Sequence, residues 1–206
     1  MSALSILTST FVLFGTASFI VMIAFVFFHF SSFKPSIVTN GTVPKLVIGF
    51  VLGLLSIYGT LMGTRLEDGT IINVRELAAM IAGVAGGPIA GLLAGLIGGL
   101  HRYTLGGATA LPCTVSTILI GLISGIVSLK LSGKVSITKG AALGFVLESG
   151  AMGLILAIVQ PFSTALNIVE IIAVPMIAAN TVGLVFCLFL FNKLTANSGL
   201  NTSDAR

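Results

Sequence analysis

Apolar residues in this chain come in long unbroken runs. Five are long enough to span a bilayer as helices, at residues 6–28, 46–62, 111–129, 141–159 and 168–191. Between the second and third runs lies NVRELAAMIAGVAGGPIAGLLAGLIGGLHRYTLGG, residues 73–107, which is apolar but broken at Gly86-Gly87-Pro88. Proline cannot continue a helix and paired glycines free the backbone to turn, so this stretch predicts two short helices folded as a hairpin. The total expected is seven helices. No Lys or Arg precedes Lys34, so the first run lacks the basic start of a signal peptide and reads as a retained helix.

Composition agrees with the pattern. The 206 residues are 56% hydrophobic and 8% charged, with a mean hydropathy of +1.15, values that predict an all-α, polytopic transmembrane helix bundle. We expect one membrane domain over residues 1–194 and a short cytoplasmic tail over 195–206. With seven helices, one side carries Lys34, Lys45, Lys130, Lys134, Lys139, Lys193 and Arg206, and the other carries Arg65, Arg75 and Arg102. This 7-to-3 split places the first group in the cytoplasm, the amino terminus outside and the carboxyl terminus inside. The lysines of one membrane face account for the net charge of +4, so no nucleic-acid partner is called for.

Arg75 and Arg102 stand out against this background. At 1.5 Å per residue they lie about 17 and 21 Å from the Gly-Gly-Pro turn, at matching depth in the two arms. Charge near the middle of a bilayer costs about 2.5 to 3.5 kcal/mol, so two such cations call for an anion or a lined cavity. The next helix opens with TALPCTVST, where Thr109 is a candidate N-cap and Pro112 sits in the first turn. Cys113, Ser116 and Thr117 follow at i, i+3 and i+4 on one face. Small polar groups near a helix amino terminus, together with two guanidiniums, make a candidate anion pocket suited to a carboxylate. Gly87, Gly91, Gly95 and Gly99 form a smooth stripe for close helix packing, and Gly106-Gly107 marks a turn.

Other polar residues have simpler expected roles. Without an anion, Arg75 and Arg102 would hold outer loops by snorkelling. Glu148 is either protonated in the bundle or paired with an arginine when the pocket is empty. Asn167 and Glu170 read as a capping box for the last helix, and Glu67 and Asp68 as a solvated outer turn. His29 and His101 read as interfacial, and Pro175 and Asn180 as points of flexure in the last helix. Cys113 and Cys187 lie in different apolar runs and are not expected to pair. The sequence shows no metal-ligand cluster, Ser-His-acid set, P-loop or dinucleotide fingerprint, so neither a catalytic residue, a metal nor a cofactor is expected. A Cys113–His101 dyad is the remaining, weak, enzymatic reading.

The stretch NVRELAAMIAGVAGGPIAGLLAGLIGGLHRYTLGGATALPCTVSTILIGLISG resembles the LytS-type membrane sensor domain found at the amino terminus of bacterial sensor histidine kinases. The elements carrying the resemblance are N-x-R before a Gly-rich hairpin, H-R-Y followed by G-G-x-T-A, and a Cys and Ser in the next helix. They are specific over residues 45–128 and looser elsewhere. The resemblance implies a receptor for extracellular pyruvate or a similar small carboxylate, with Arg75, Arg102, Cys113 and Ser116 at the ligand and Thr117 and Glu148 as secondary candidates. It further implies signalling to a cytoplasmic histidine kinase that works with a LytTR-type response regulator, in a bacterial plasma membrane.

Relatives of this type continue into a GAF-like region and a kinase, whereas these 206 residues hold no kinase motif. The chain is therefore expected to be a sensor region of a longer protein or a receptor acting through a partner, the lipid bilayer and a second copy of the chain being further candidate partners. The alternative is the substrate-binding subunit of a vitamin-type transporter, a class that shares the overall architecture. A purely structural membrane protein would explain the glycines but not two intramembrane arginines.

Overall fold

In a bilayer each backbone N–H and C=O must find a partner within the protein, which the apolar runs achieve as helices. The computed structural model describes residues 3–30 and 41–200, with side chains placed for 7–30 and 41–193. The described elements are α1 (Ala3–Phe30), α2 (Thr42–Leu61), β1 (Thr64–Arg65), β2 (Ile71–Ile72), α3 (Arg75–Thr104), α4 (Ala110–Lys130), α5 (Ile137–Ile158) and α6 (Phe162–Leu200). Six of these are helices long and apolar enough to cross a membrane. Residues 195–200, expected in a tail, prolong α6; Lys34 and residues 201–206 lie outside the described residues.

The expected hairpin lies within α3. Gly87 breaks its helical backbone at φ 78°, ψ −169°, immediately before Pro88. A Cβ on Gly91 would come within 2.8 Å of the Gly83 Cα; on a continuous helix those residues would stand about 12 Å apart. The chain thus turns back on itself, and its two arms, 75–86 and 88–104, lie side by side. Counted by arms the bundle has the seven helical segments expected, and counted by continuous elements it has six.

The first arm is the hub. Residues 70–87 are buried without a break, which requires protein on every side of the arm. Gly83 faces the α4 backbone, where an added Cβ would stand 2.5 Å from the Gly121 carbonyl oxygen. Gly59 brings α2 against Arg75, and Gly183 brings α6 against Leu77. The second arm packs by the predicted stripe: a Cβ on Gly95 would lie 2.8 Å from the Ile118 Cα, and one on Gly99 3.0 Å from the Thr114 carbonyl oxygen. Around this centre α5 packs on α6 and α6 on α1. Phe28 and Phe191 close the α1–α6 seam edge to face, 4.9 Å apart.

The turn after α2 is more ordered than the sequence suggests. β1 and β2 pair antiparallel, Thr64 opposite Ile72 and Arg65 opposite Ile71. Asp68 shapes the turn between them by accepting hydrogen bonds from Thr70 N and Oγ1, both at 2.9 Å. Glu67 and Asp68 are exposed, as expected of that turn.

The start of the last helix corrects the expected capping box. α6 begins at Phe162, where the Pro161 carbonyl accepts from Thr164 N at 2.9 Å and Ala165 N at 3.3 Å. Asn167 and Glu170 are therefore interior and exposed helix positions. Asn167 instead lines a groove of about 560 Å³ between α6 and the β-hairpin.

These glycine contacts predict a position-dependent cost. A methyl at Gly121 would strike the Gly91 backbone, whereas one at Gly150 would meet open space. Gly121→Ala is expected to destabilise by at least about 1–3 kcal/mol, as overpacking does, and Gly150→Ala to cost nothing. Thermal unfolding of both variants in detergent checks the contrast.

Candidate functional site

The site grows from the amino-terminal end of the first α3 arm. Asn73 shapes the approach, its Nδ2 donating to the Ile71 carbonyl at 2.6 Å while its Oδ1 accepts from Arg75 N at 3.1 Å. One of the arm's free amides is thus satisfied. A second, Leu77 N, donates to Asn180 Oδ1 of α6 at 3.1 Å, and Asn180 Nδ2 in turn donates to the Met176 carbonyl at 3.0 Å. Ser56 of α2 donates to the Arg75 carbonyl at 3.1 Å. The backbone that carries Arg75 is therefore fixed from three directions.

Arg75 is fully buried. Its Nε donates to Thr117 Oγ1 at 2.7 Å, and its Nη2 to Glu76 Oε1 at 2.7 Å and to the Cys113 carbonyl at 3.5 Å. Ser116 Oγ and Thr117 Oγ1 stand 3.3 and 3.2 Å from the same Glu76 oxygen. The expected i, i+3, i+4 face of α4 is real: Cys113, Ser116 and Thr117 are all buried, and all three reach Arg75 or its partner.

Arg102, also fully buried, comes from the far end of the second arm. Its Nη1 donates to the Gly106 carbonyl at 2.5 Å, and its Nη2 to Thr109 Oγ1 at 3.1 Å and the Gly69 carbonyl at 3.4 Å. Thr109 does occupy the N-cap position of α4, but its hydroxyl serves Arg102 and makes no cap hydrogen bond. Arg102 thus ties the α3–α4 loop to the β-hairpin turn. Gly69 and Gly107 meet there so closely that a Cβ on Gly69 would lie 2.7 Å from the Gly107 Cα, and both have positive φ, 79° and 93°. Arg65 adds a bond of 2.7 Å to the Leu105 carbonyl.

Both guanidiniums belong to the ends of the two α3 arms that lie away from the reversal at Gly87. Each keeps one buried nitrogen without a partner, Nη1 of Arg75 and Nε of Arg102. Glu148, on α5, is buried, and neither of its carboxyl oxygens has a hydrogen-bond partner among the described residues. Of the two roles expected for Glu148, the arginine pairing is not formed here: the carboxylate that pairs with Arg75 is Glu76, a residue the sequence reading passed over. Its signal was present in N-V-R-E-L: an acidic residue beside an intramembrane arginine, in the first helical turn. His101 is half-buried, and His29 is exposed beside Phe25 and Phe30.

This architecture coincides with a known family. The model of the family described as 5TMR of 5TMR-LYT matches residues 28–193. The chain is a LytS-type membrane sensor domain. It is 40% identical over 146 residues to the sensor histidine kinase BtsS of Escherichia coli K12, covering 68% of this chain and 26% of BtsS. It is 32% identical over 183 residues to the sensor protein LytS of Bacillus subtilis strain 168, covering 80% of this chain and 31% of LytS. The sensor histidine kinase YpdA of E. coli K12 is 29% identical over 168 residues, 80% of this chain and 30% of YpdA. The chain thus spans about a quarter to a third of the length of these relatives. No solved structure matches it.

The Arg102 contacts predict that a point charge cannot replace the guanidinium fork. Arg102→Lys is expected to leave the bundle folded but to loosen the α3–α4 loop and the β-hairpin turn it ties together. The Ala108 amide, bonded to the Asp68 carbonyl at 3.3 Å, should exchange with deuterium at least about tenfold faster, a loss of local protection checked by mass spectrometry.

Proposed function

We propose that this sensor domain receives a small carboxylate, pyruvate foremost, from the outer side of the membrane between Arg75 and Arg102, and that it controls a histidine kinase region acting on a response regulator. The observation that carries the reading is the convergence of two fully buried arginines, one from each arm of the reversed helix, each with a buried nitrogen unfilled. Burying N–H donors without acceptors is costly, and a carboxylate offers acceptors for both. Cys113, Ser116 and Thr117 lie on the adjoining face of α4 and supply small polar contacts for a neighbouring keto or hydroxyl group.

The ends of the bundle support entry from outside. Lys45, Lys130, Lys134, Lys139 and Lys193 flank helix ends opposite to those that hold Arg65, Arg75 and Arg102. The positive-inside rule assigns the lysine-bearing end to the cytoplasm. The arginine end then faces outward, with the amino terminus outside and the carboxyl terminus leading inward to the kinase region. Glu67→Cys, in the β-hairpin turn, should react with an impermeant thiol reagent on intact cells, and Lys134→Cys only after lysis; the reverse pattern inverts the topology.

Pyruvate titrated calorimetrically into the chain in nanodiscs is expected to bind saturably, with Arg75→Ala and Arg102→Ala each abolishing the heat. Silence from a folded native chain, with lactate and acetate silent too, overturns the carboxylate reading. Labelled pyruvate accumulating in liposomes that carry the chain, alone or with an energising partner, would favour the transporter alternative.

A further inference from the structure

Glu76 is 1% exposed and follows Arg75 directly in the chain. Its Oε1 accepts a hydrogen bond from Arg75 Nη2 at 2.7 Å and stands 3.3 and 3.2 Å from the Ser116 and Thr117 hydroxyls, whose shorter bonds go to the Cys113 carbonyl at 3.0 and 2.7 Å. A guanidinium and two hydroxyls of one α4 face are the groups assigned above to the carboxylate ligand. An internal carboxylate therefore already occupies part of the carboxylate site.

We propose that Glu76 is a tethered occupant of that site, holding Arg75 until the carboxylate of the ligand takes its place. The inference rests on the proposed carboxylate receptor function. The form of the contact supports exchange. Arginine–carboxylate pairs frequently close two parallel hydrogen bonds, but here Glu76 Oε2 and Arg75 Nη1 are both buried without a partner. The pair is held through one oxygen and one nitrogen. Exchange also respects the low dielectric, since one carboxylate leaves the guanidinium as another arrives and the arginine is never left without an anion.

A tethered competitor lowers apparent affinity by the fraction of time it holds the site. Removing its charge must therefore tighten ligand binding, whereas removing a permanent orienting partner would weaken it. The experiment is pyruvate calorimetry in nanodiscs on the native chain, Glu76→Gln and Glu76→Asp, with thermal unfolding measured with and without pyruvate. Glu76→Gln is expected to bind pyruvate about tenfold or more tightly, and to gain more in unfolding midpoint from pyruvate than the native chain does. Glu76→Asp keeps the charge on a shorter arm, should also bind more tightly, and decides the matter if Glu76→Gln does not fold. Unchanged or weaker binding in the folded variants overturns the tethered occupant while native binding leaves the receptor standing. Absence of binding in native and variant chains alike overturns both.

Discussion

A guanidinium without water has to be satisfied by the protein around it, and the architecture of this domain follows from that requirement at Arg75. The side chain draws on Thr117 and Cys113 of α4 and on Glu76 of its own helix. The amides at that helix end are met by Asn73 and by Asn180 of α6, and the Arg75 carbonyl by Ser56 of α2. At the other end of the same arm, Ser128 donates to the Val84 carbonyl at 2.8 Å, filling an acceptor that the break at Gly87 leaves open. Polar side chains from three neighbouring helices thus serve one short arm that water cannot reach.

Such an arm can be surrounded only if its neighbours come very close. Glycines supply the space on α2 at Gly59, on α4 at Gly121 and Gly125, on α6 at Gly183, and on the arm itself at Gly83. In lipid there is no hydrophobic gain in hiding one apolar helix from another, so association depends on close packing and on hydrogen bonds between helices. The reversal at Gly87 adds the functional consequence, because it returns the chain to the end where it started. Two arginines 27 positions apart in sequence come to one end of the bundle, Arg75 bonded to Thr117 and Cys113 of α4 and Arg102 to Thr109 just before it.

The elements that announce themselves by composition were legible in the sequence. The apolar runs, the break at Gly86-Gly87-Pro88, the glycine stripe and the polar face Cys113–Ser116–Thr117 depend on local chain chemistry, and each takes the form it predicts. What sequence could not rank was competition between partners. Thr109 has the right residue type and position for a cap, yet Arg102 takes its hydroxyl, because a buried guanidinium outbids a helix amide. Glu148 and Glu76 are both buried carboxylates, and it is Glu76, the neighbour of Arg75 in the chain, that pairs with it. The Asn167–Glu170 pair has the spacing of a capping box, but the Pro161 carbonyl begins the helix about one and a half turns earlier.

The same competition bears on how a signal could leave the site. Leu77 lies two residues after Arg75 and one after Glu76, and its amide is bonded to α6 through Asn180. Its side chain also fills the space left by Gly183, where an added Cβ would come within 2.6 Å of Leu77 Cδ2. A change in the first turn of α3 must therefore either break the bond to Asn180 or carry α6 with it. Breaking it would strand a buried amide and a buried carbonyl oxygen, a cost of about 1–3 kcal/mol for each group left unmet. Pro175 lies five residues before Asn180 and removes one backbone hydrogen bond from α6, so the helix is softened where it meets the arm. The residue that grips the first turn of α3 and the proline that softens α6 thus lie within five positions of each other on one helix.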